Sequence, residues 1–159
     1  MGRQPKYKRI LFCSDFSEDA NFAFQHAVDF CLKHKAELRI LYIIKSLKHY
    51  SGPMIDFNLP DFESWNDDTK REKIVEQALA SLRLNYEPHL KKVENYVFAI
   101  RFGSPDVEIL NYARENDIWI IVLGVVGQTG GTKGRILKTA ANVSKYAPCQ
   151  VVTIGTSKV

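Results

Sequence analysis

Short apolar runs alternate with longer segments of mixed polarity along this chain. Five runs rich in aliphatic or aromatic residues are predicted to be strands: 8–14, 37–44, 93–101, 118–123 and 150–154. Four segments with apolar residues at helical spacing are predicted to be helices: 17–34, 67–90, 104–116 and 132–146. The run over 118–123 is almost wholly apolar, which is typical of a central parallel strand, so Trp119 is expected in the core.

Residues with special backbone preferences mark the ends of several predicted helices. Ser17 is predicted to cap the first helix, and Ser104 followed by Pro105 is predicted to begin the third. Pro88 is expected to end the second helix or to kink its last turn. Pro148 prevents the fourth helix from continuing into the last strand.

The alternation of strands and helices predicts an α/β fold with one doubly wound, five-stranded parallel sheet. No linker divides the chain, so residues 1–159 are interpreted as a single domain. In such a sheet the ligand crevice lies beyond the carboxyl ends of the strands, where the strand order reverses. Residues 13–15, 43–44 and those from 124 onward are expected there. The longest irregular stretch covers 45–64, and its role is left open.

Composition excludes several classes of protein. No run approaches the roughly 18 apolar residues of a membrane helix, so no membrane contact is expected. The net charge of +4 comes from scattered lysines, which argues against a nucleic-acid partner. The three cysteines, Cys13, Cys31 and Cys149, are widely spaced and are interpreted as free thiols rather than as disulfide or zinc ligands. Residues 1–9 lack the apolar part of a secretory signal, so a cytoplasmic location is expected.

A glycine-rich segment over 124–134 follows the predicted central strand and opens a helix. Glycines let backbone amides approach a phosphate, and a helix N-terminus favours an anion; a ligand-free turn is the alternative interpretation. The segment is not a Walker A loop, because no Gly-Lys-Ser/Thr closes it. It is not the usual dinucleotide fingerprint, which follows the first strand, whereas Asp15-Phe16-Ser17 stands there.

Taken together, these motifs resemble the universal stress protein family over essentially the whole chain. The first strand runs into Ser-Asp-Phe-Ser at 14–17, and the second strand covers 37–44. Gly-Ser-Pro at 103–105 matches the family's Gly-x-Pro helix start. Ala-Pro-Cys-Gln-Val at 147–151 matches its closing motif. The resemblance implies a Rossmann-like sheet of strand order 3-2-1-4-5 and binding of an adenine nucleotide, ATP or AMP.

The resemblance also implies which residues form the site. Ser14 and Asp15 would lie at the base and ribose, with Ile43 on the adenine and Leu123 on the opposite wall. An alternative role for Asp15 is capping of the first helix. The full set of implied nucleotide-binding residues is Cys13, Ser14, Asp15, Ile43, Leu123, Gly124, Gly127, Lys133, Lys138 and Thr139. Lys133 would neutralise phosphate, or would simply be a solvated helix charge.

The sequence departs from the family pattern at the phosphate end of the site. Nucleotide-binding members carry G-x2-G-x9-G-[ST], and Gly124 and Gly127 match its first two glycines. Leu137-Lys138 then replaces the Gly-Ser/Thr pair. Leu137 adds bulk where the backbone would approach the phosphates. Lys138 either substitutes an ammonium for the lost hydroxyl or blocks the site.

The sequence is compatible with two functions. The first is a nucleotide-binding stress or signalling module, not a metabolic enzyme, with at most slow ATP hydrolysis. The second is a dimeric interaction protein of the same fold that has lost the nucleotide and pairs two copies through the terminal strand 150–154. An ATP pyrophosphatase is disfavoured, because the Ser-Gly-Gly-x-Asp-Ser loop of that class is missing after the first strand.

Overall fold

The computed structural model describes residues 7–45, 68–125 and 133–155, whose strands and helices alternate along the chain. The strands are β1 (Arg9–Ser14), β2 (Glu37–Ile44), β3 (Tyr96–Phe102), β4 (Ile120–Gly124) and β5 (Gln150–Ile154). The helices are α1 (Glu18–His34), α2 (Asp68–Tyr86), α3 (Pro105–Glu115) and α4 (Lys133–Tyr146), and a single 3-10 turn, Glu87–His89, follows α2. Most of the irregular segment predicted over 45–64, and the glycine-rich residues 126–132, lie outside the described residues.

The five strands form one parallel sheet in the order β3-β2-β1-β4-β5, which confirms the predicted fold and strand order. The order reverses between β1 and β4, because β2 and β3 lie on one side of β1 whereas β4 and β5 lie on the other. In register, Cys13 of β1 lies beside Leu41 of β2 and Leu123 of β4. This register aligns the carboxyl ends of the three central strands at one pole of the sheet.

Each face of the sheet carries its own buried cluster, because successive side chains of a strand point to opposite faces. On the first face, Ile10 and Phe12 of β1 pack with residues of α1 and α2. On the second face, Leu11 and Cys13 pack with residues of α3 and α4. Alternate residues of β1 therefore pack against different pairs of helices.

The predicted cap of α1 is confirmed, whereas the start of α3 works differently from the prediction. Ser17 Oγ accepts a hydrogen bond from the Ala20 amide at 3.1 Å, as an N-cap should. Ser104 occupies the N-cap position before Pro105, but its hydroxyl donates to Asp106 Oδ1 at 2.7 Å. Asp106 Oδ1 in turn accepts a hydrogen bond from the Val107 amide at 2.9 Å. The carboxylate of Asp106, rather than the serine hydroxyl, therefore provides the acceptor for this amide in the first turn of α3.

Several predicted boundaries need correction. Strand β3 begins at Tyr96 rather than at residue 93, because the Val93 amide donates to the Leu90 carbonyl and closes a turn. Strand β4 begins at Ile120, so Trp119 precedes it and is 37% exposed rather than part of the core. Helix α2 ends at Tyr86 rather than at residue 90, and Pro88 lies in the 3-10 turn that follows, so the proline ends the helix rather than kinking it.

Candidate functional site

The candidate crevice lies at the carboxyl ends of β1 and β4, where the strand order reverses. Asp15 leaves β1 at this pole, and Gly124 is the last residue of β4. The N-terminal turn of α1 lies close by, since an added Cβ on Gly124 would stand 3.0 Å from the Ala20 nitrogen. Two strand ends and one helix N-terminus therefore meet at the same place.

Three of the predicted site residues, Cys13, Ile43 and Leu123, belong to one apolar cluster, which we call the apolar wall. Ile43 and Leu123 are only 9% and 4% exposed, and the half-buried Cys13 packs against the same cluster. All three lie on the face covered by α3 and α4, with Cys13 directly beside Leu123. Such a wall has the apolar character that suits a planar aromatic ligand.

Asp15 is exposed and stands in a tight turn between β1 and α1. Its Oδ1 accepts a hydrogen bond from the Ser17 amide at 3.0 Å. This bond supports the entry to α1, while Ser17 itself supplies the N-cap, so the alternative capping role of Asp15 holds in part. A carboxylate has about four acceptor positions, so one hydrogen bond leaves capacity for ribose hydroxyls.

Ser14 points to the opposite face of the sheet from Cys13. Its side chain is 6% exposed, and Oγ lies 2.6 Å from the hydroxyl of Tyr86 at the end of α2. The same Oγ accepts from the Phe16 amide at 3.0 Å. The Ser14 hydroxyl is thus engaged within the protein, away from the apolar wall.

Gly124 has a structural reason to be glycine. A Cβ there would lie 3.0 Å from both the Ala20 nitrogen and the Asp19 carbonyl carbon, which are backbone atoms of the first turn of α1. Backbone atoms of a helix cannot move aside as a flexible side chain does. The close packing of α1 on β4 therefore favours glycine at this position, whether or not a ligand binds.

The phosphate end of the predicted site is formed by α4. This helix begins at Lys133, so Leu137 and Lys138 fall in its second turn rather than at its N-terminus. In an α-helix the amide of residue 137 bonds to the carbonyl of residue 133, which takes it away from any phosphate. Lys138 is exposed and Thr139 is half-buried, whereas Gly127 and the side chain of Lys133 lie outside the described residues.

Burial raises the pKa of each of the three thiols above its usual range. Burial raises the pKa of Cys13 well above its usual range. Burial also raises the pKa of Cys149 to about 11. All three cysteines are free, as the sequence predicted, and Cys13 lacks the low pKa of a reactive thiolate.

Sequence reasoning missed an aromatic group behind the Asp15 turn, on the face of α1 and α2. Phe16 has a left-handed backbone with φ of 61°, and its ring lies 4.9 Å from that of Tyr42 and 6.2 Å from that of Tyr86. Tyr86 is 2% exposed and also contacts Phe12 and Phe24. Its position one helical turn after the buried Leu82 was the available signal.

Within residues 7–45, 68–125 and 133–155, no group of three or more His, Cys, Asp or Glu side chains is arranged to hold a metal ion. Over the same ranges no helix has the length and apolar character needed to cross a membrane.

The chain matches known proteins along most of its length. The model of the universal stress protein family matches residues 6–155. A relative from Staphylococcus haemolyticus, named as a universal stress protein, is 26% identical over 154 residues, which cover 96% of this chain and 87% of the relative.

Solved structures agree with the fold described above. A universal stress protein from Lactobacillus plantarum has a TM-score of 0.70 and 25% identity, covering 93% of this chain and 97% of its own. A universal stress protein in complex with cAMP has a TM-score of 0.65 and 17% identity, covering 95% and 98% of the two chains. A family member from Arabidopsis thaliana with AMP bound has a TM-score of 0.58 and 15% identity, covering 94% and 92%.

Proposed function

We propose, given that the chain belongs to the universal stress protein family, that it binds an adenine nucleotide and acts as a stress or signalling module. The observation that carries the proposal is the pairing of an exposed carboxylate with an apolar wall at the point where the strand order reverses. Asp15 would accept hydrogen bonds from the ribose, and Cys13, Ile43 and Leu123 would face the base. The ligand would be ATP or AMP.

Two fold neighbours support the class of ligand. One is a universal stress protein in complex with cAMP, and the other is a family member with AMP bound. Both ligands share adenine and ribose but differ at the phosphate. Ligands that share adenine and ribose but differ at the phosphate are compatible with this chain, whose departure from the family pattern lies at the phosphate end.

The phosphates would lie toward the start of α4. Gly127 would let the backbone approach them, and Lys133 would balance their charge near the helix N-terminus. Lys138, one turn further and exposed, would reach the outer phosphates with its long side chain, next to the Thr139 hydroxyl. This arrangement replaces the hydroxyl of the usual Gly-Ser/Thr pair with an ammonium.

Regulation rather than metabolism is the proposed outcome of binding. Burial raises the pKa of Cys13, so this thiol of the apolar wall is a poor nucleophile at neutral pH. In keeping with the family resemblance, we infer no metabolic reaction, and at most slow hydrolysis of bound ATP. The free thiols suit the reducing environment of the cytoplasm, which we propose as the location.

Release of bound ligand tests the proposal directly. The purified protein is denatured, and the supernatant is chromatographed with detection of adenine absorbance. Calorimetric titration with ATP, ADP and AMP then measures affinity in the emptied protein. Released adenine or a saturable titration supports the proposal. An empty supernatant together with three flat titrations would remove the nucleotide from the function.

A dimeric interaction protein that has lost the nucleotide is the second candidate, and β5 favours it. In the described part of the chain, β5 pairs only with β4 and leaves its outer edge open, with Gln150 and Thr153 exposed. An open edge invites pairing with a second copy. Pairing through Gln150–Ile154 would leave the crevice on each copy, so a dimer by itself does not exclude a bound nucleotide.

A charge on the edge tests the dimer. Thr153→Asp adds like charges near the proposed two-fold axis without touching the core, whereas Val152→Asp also disturbs a half-buried contact. We expect Thr153→Asp to halve the mass measured by light scattering. An unchanged dimeric mass, or a monomeric native protein, would exclude pairing through β5.

A further inference from the structure

The turn that carries Asp15 is held in an unusual conformation. Phe16, the next residue, has φ of 61°, a left-handed backbone that a bulky aromatic residue rarely adopts. Such a conformation persists only where surrounding contacts enforce it. Asp15 itself is exposed, so its direction is set by the backbone on either side rather than by packing of its own side chain.

A chain of hydrogen bonds runs from this turn to two helices. The Phe16 amide donates to Ser14 Oγ at 3.0 Å, and Ser14 Oγ lies 2.6 Å from the Tyr86 hydroxyl. Tyr86 donates its own proton to Asn21 Oδ1 at 3.3 Å. Because Tyr86 has only one proton, Ser14 must be the donor in the bond between the two hydroxyls. The direction is therefore Phe16 to Ser14 to Tyr86 to Asn21.

Tyr86 also supports the turn through its ring. The rings of Tyr86 and Phe16 are nearly parallel, with an interplanar angle of 15° and centroids 6.2 Å apart. The tyrosine is 2% exposed and is fixed on its other sides by Phe12 and Phe24. A rigid, buried side chain from the end of α2 thus contacts the ring of the strained residue directly and reaches its backbone amide through Ser14.

We propose that Tyr86 is a positioning residue for the ligand crevice, which sets the direction of Asp15 through Ser14 and Phe16 without touching the ligand. Burial raises the pKa of Tyr86, so its hydroxyl stays protonated and the chain of hydrogen bonds keeps its direction at neutral pH. The proposal rests on the proposed function for its effect on nucleotide affinity. Its effect on the turn does not depend on any ligand.

The first arm of the test needs no nucleotide. Tyr86→Phe keeps the ring and removes the hydroxyl, so the Phe16 and Ser17 amides should exchange with solvent about tenfold faster, as measured by hydrogen exchange and NMR. Tyr112→Phe is the matched control, because Tyr112 is 3% exposed on the other face and its hydroxyl accepts from Arg39. Equal exchange at residues 16 and 17 in the two variants would overturn the proposal.

The second arm measures coupling to Asp15. Tyr86→Phe should weaken binding of ATP or AMP about three- to tenfold, and should have little effect when Asp15 is already alanine. Additive losses in the double variant would indicate general structural damage and would overturn the positioning role. If the native protein binds no adenine nucleotide, the proposed function fails, while the exchange arm still decides whether Tyr86 holds the turn.

A milder variant guards against loss of folding. Asn21 is exposed, so Asn21→Ala removes the last acceptor of the chain without creating a buried cavity. We expect the Phe16 amide to exchange faster than in the native protein, by a smaller factor than in Tyr86→Phe. Exchange at the native rate in both variants would show that the hydrogen-bonded chain does not hold the turn.

Discussion

The sheet side of the crevice is formed by the ends of β1, β2 and β4. Most of the residues there that resemble a nucleotide site also have a role in the fold. Gly124 admits the backbone of α1, Ser14 bonds to Tyr86, and Ile43 and Leu123 fill the cluster under α3 and α4. On the α4 side, by contrast, Lys138 is exposed and stands in the middle of a helix. The residues retained on the sheet side are therefore explained mainly by the fold, and a ligand contact can be tested separately from the fold on the α4 side.

The strongest test of the comparison is Gly124→Ala. The added Cβ would lie 3.0 Å from two backbone atoms of α1, so we expect a loss of about 3 kcal/mol in the free energy of unfolding, measured with denaturant. Gly155→Ala is the control, because its Cβ would meet Val125 at an ordinary 3.6 Å. If both variants are equally stable, the fold does not require the glycine, and its presence would point to a ligand instead.

Asp15 is the residue on the sheet side with the strongest claim to a ligand role. Asp15→Ala should weaken binding of AMP by about thirtyfold in calorimetry, since a hydrogen bond to a charged group contributes about 2 kcal/mol. Glu18→Gln is the control, because it removes one negative charge from an exposed residue in the first turn of α1. This variant should bind AMP with unchanged affinity. Equal affinities in all three proteins would restrict Asp15 to its bond with Ser17.

How well the sequence predicts the bounds of a strand depends on whether polar or turn residues mark its ends. The bounds of β2 and β5 agree residue for residue with the apolar runs, because charged or turn residues flank both runs. The predicted start of β3 is wrong, because Val93 resembles a strand residue in the sequence but closes a turn with Leu90. Boundaries marked by polar or turn residues are predictable, whereas a turn that includes apolar residues is not.

In the site, the sequence predicts features with a local cause but not those that depend on contacts between distant segments. The position of Asp15 follows from the end of an apolar strand, which the sequence displays directly. The orientation of Ser14 depends on Tyr86, 72 residues further along the chain, and no local pattern announces their contact. The steric role of Gly124 likewise depends on the packing angle of α1. Contacts between distant segments decide these roles, and a single sequence does not display them.

On the α4 side, Lys138→Ala tests whether the departure from the family pattern creates a new phosphate contact. We expect affinity for ATP to fall about fivefold, because one partly exposed ion pair contributes about 1 kcal/mol. Affinity for adenosine should not change, since it carries no phosphate. Lys145→Ala, in the last turn of the same helix, is the control. A gain in ATP affinity in Lys138→Ala would instead identify Lys138 as a block.

The smallest effect is expected for a substitution at Asp106, in the contact between α3 and α4, which we call the seam. Burial alone would raise the pKa of Asp106, but hydrogen bonds from Ser104, Asn142 and Val107 outweigh it, so the pKa lies below its usual value. The Asn142 side chain donates to Asp106 Oδ2 at 2.9 Å and thereby joins α4 to the start of α3. A group whose pKa is depressed by folding stabilises the protein above its unfolded pKa, and that contribution disappears as the pH falls through the native pKa.

Asp106→Asn should therefore cost stability at pH 7 and progressively less below about pH 4. The expected loss is below about 1 kcal/mol, because the group is only half-buried. Denaturant unfolding of both proteins between pH 7 and pH 3 measures the difference, with Asp29→Asn on the exposed side of α1 as a control expected to cost less than about 0.5 kcal/mol. A difference that stays constant with pH would mean that the charge of Asp106 does not stabilise the seam, and that α4 is positioned by its apolar contacts at Ala140 and Val143 alone.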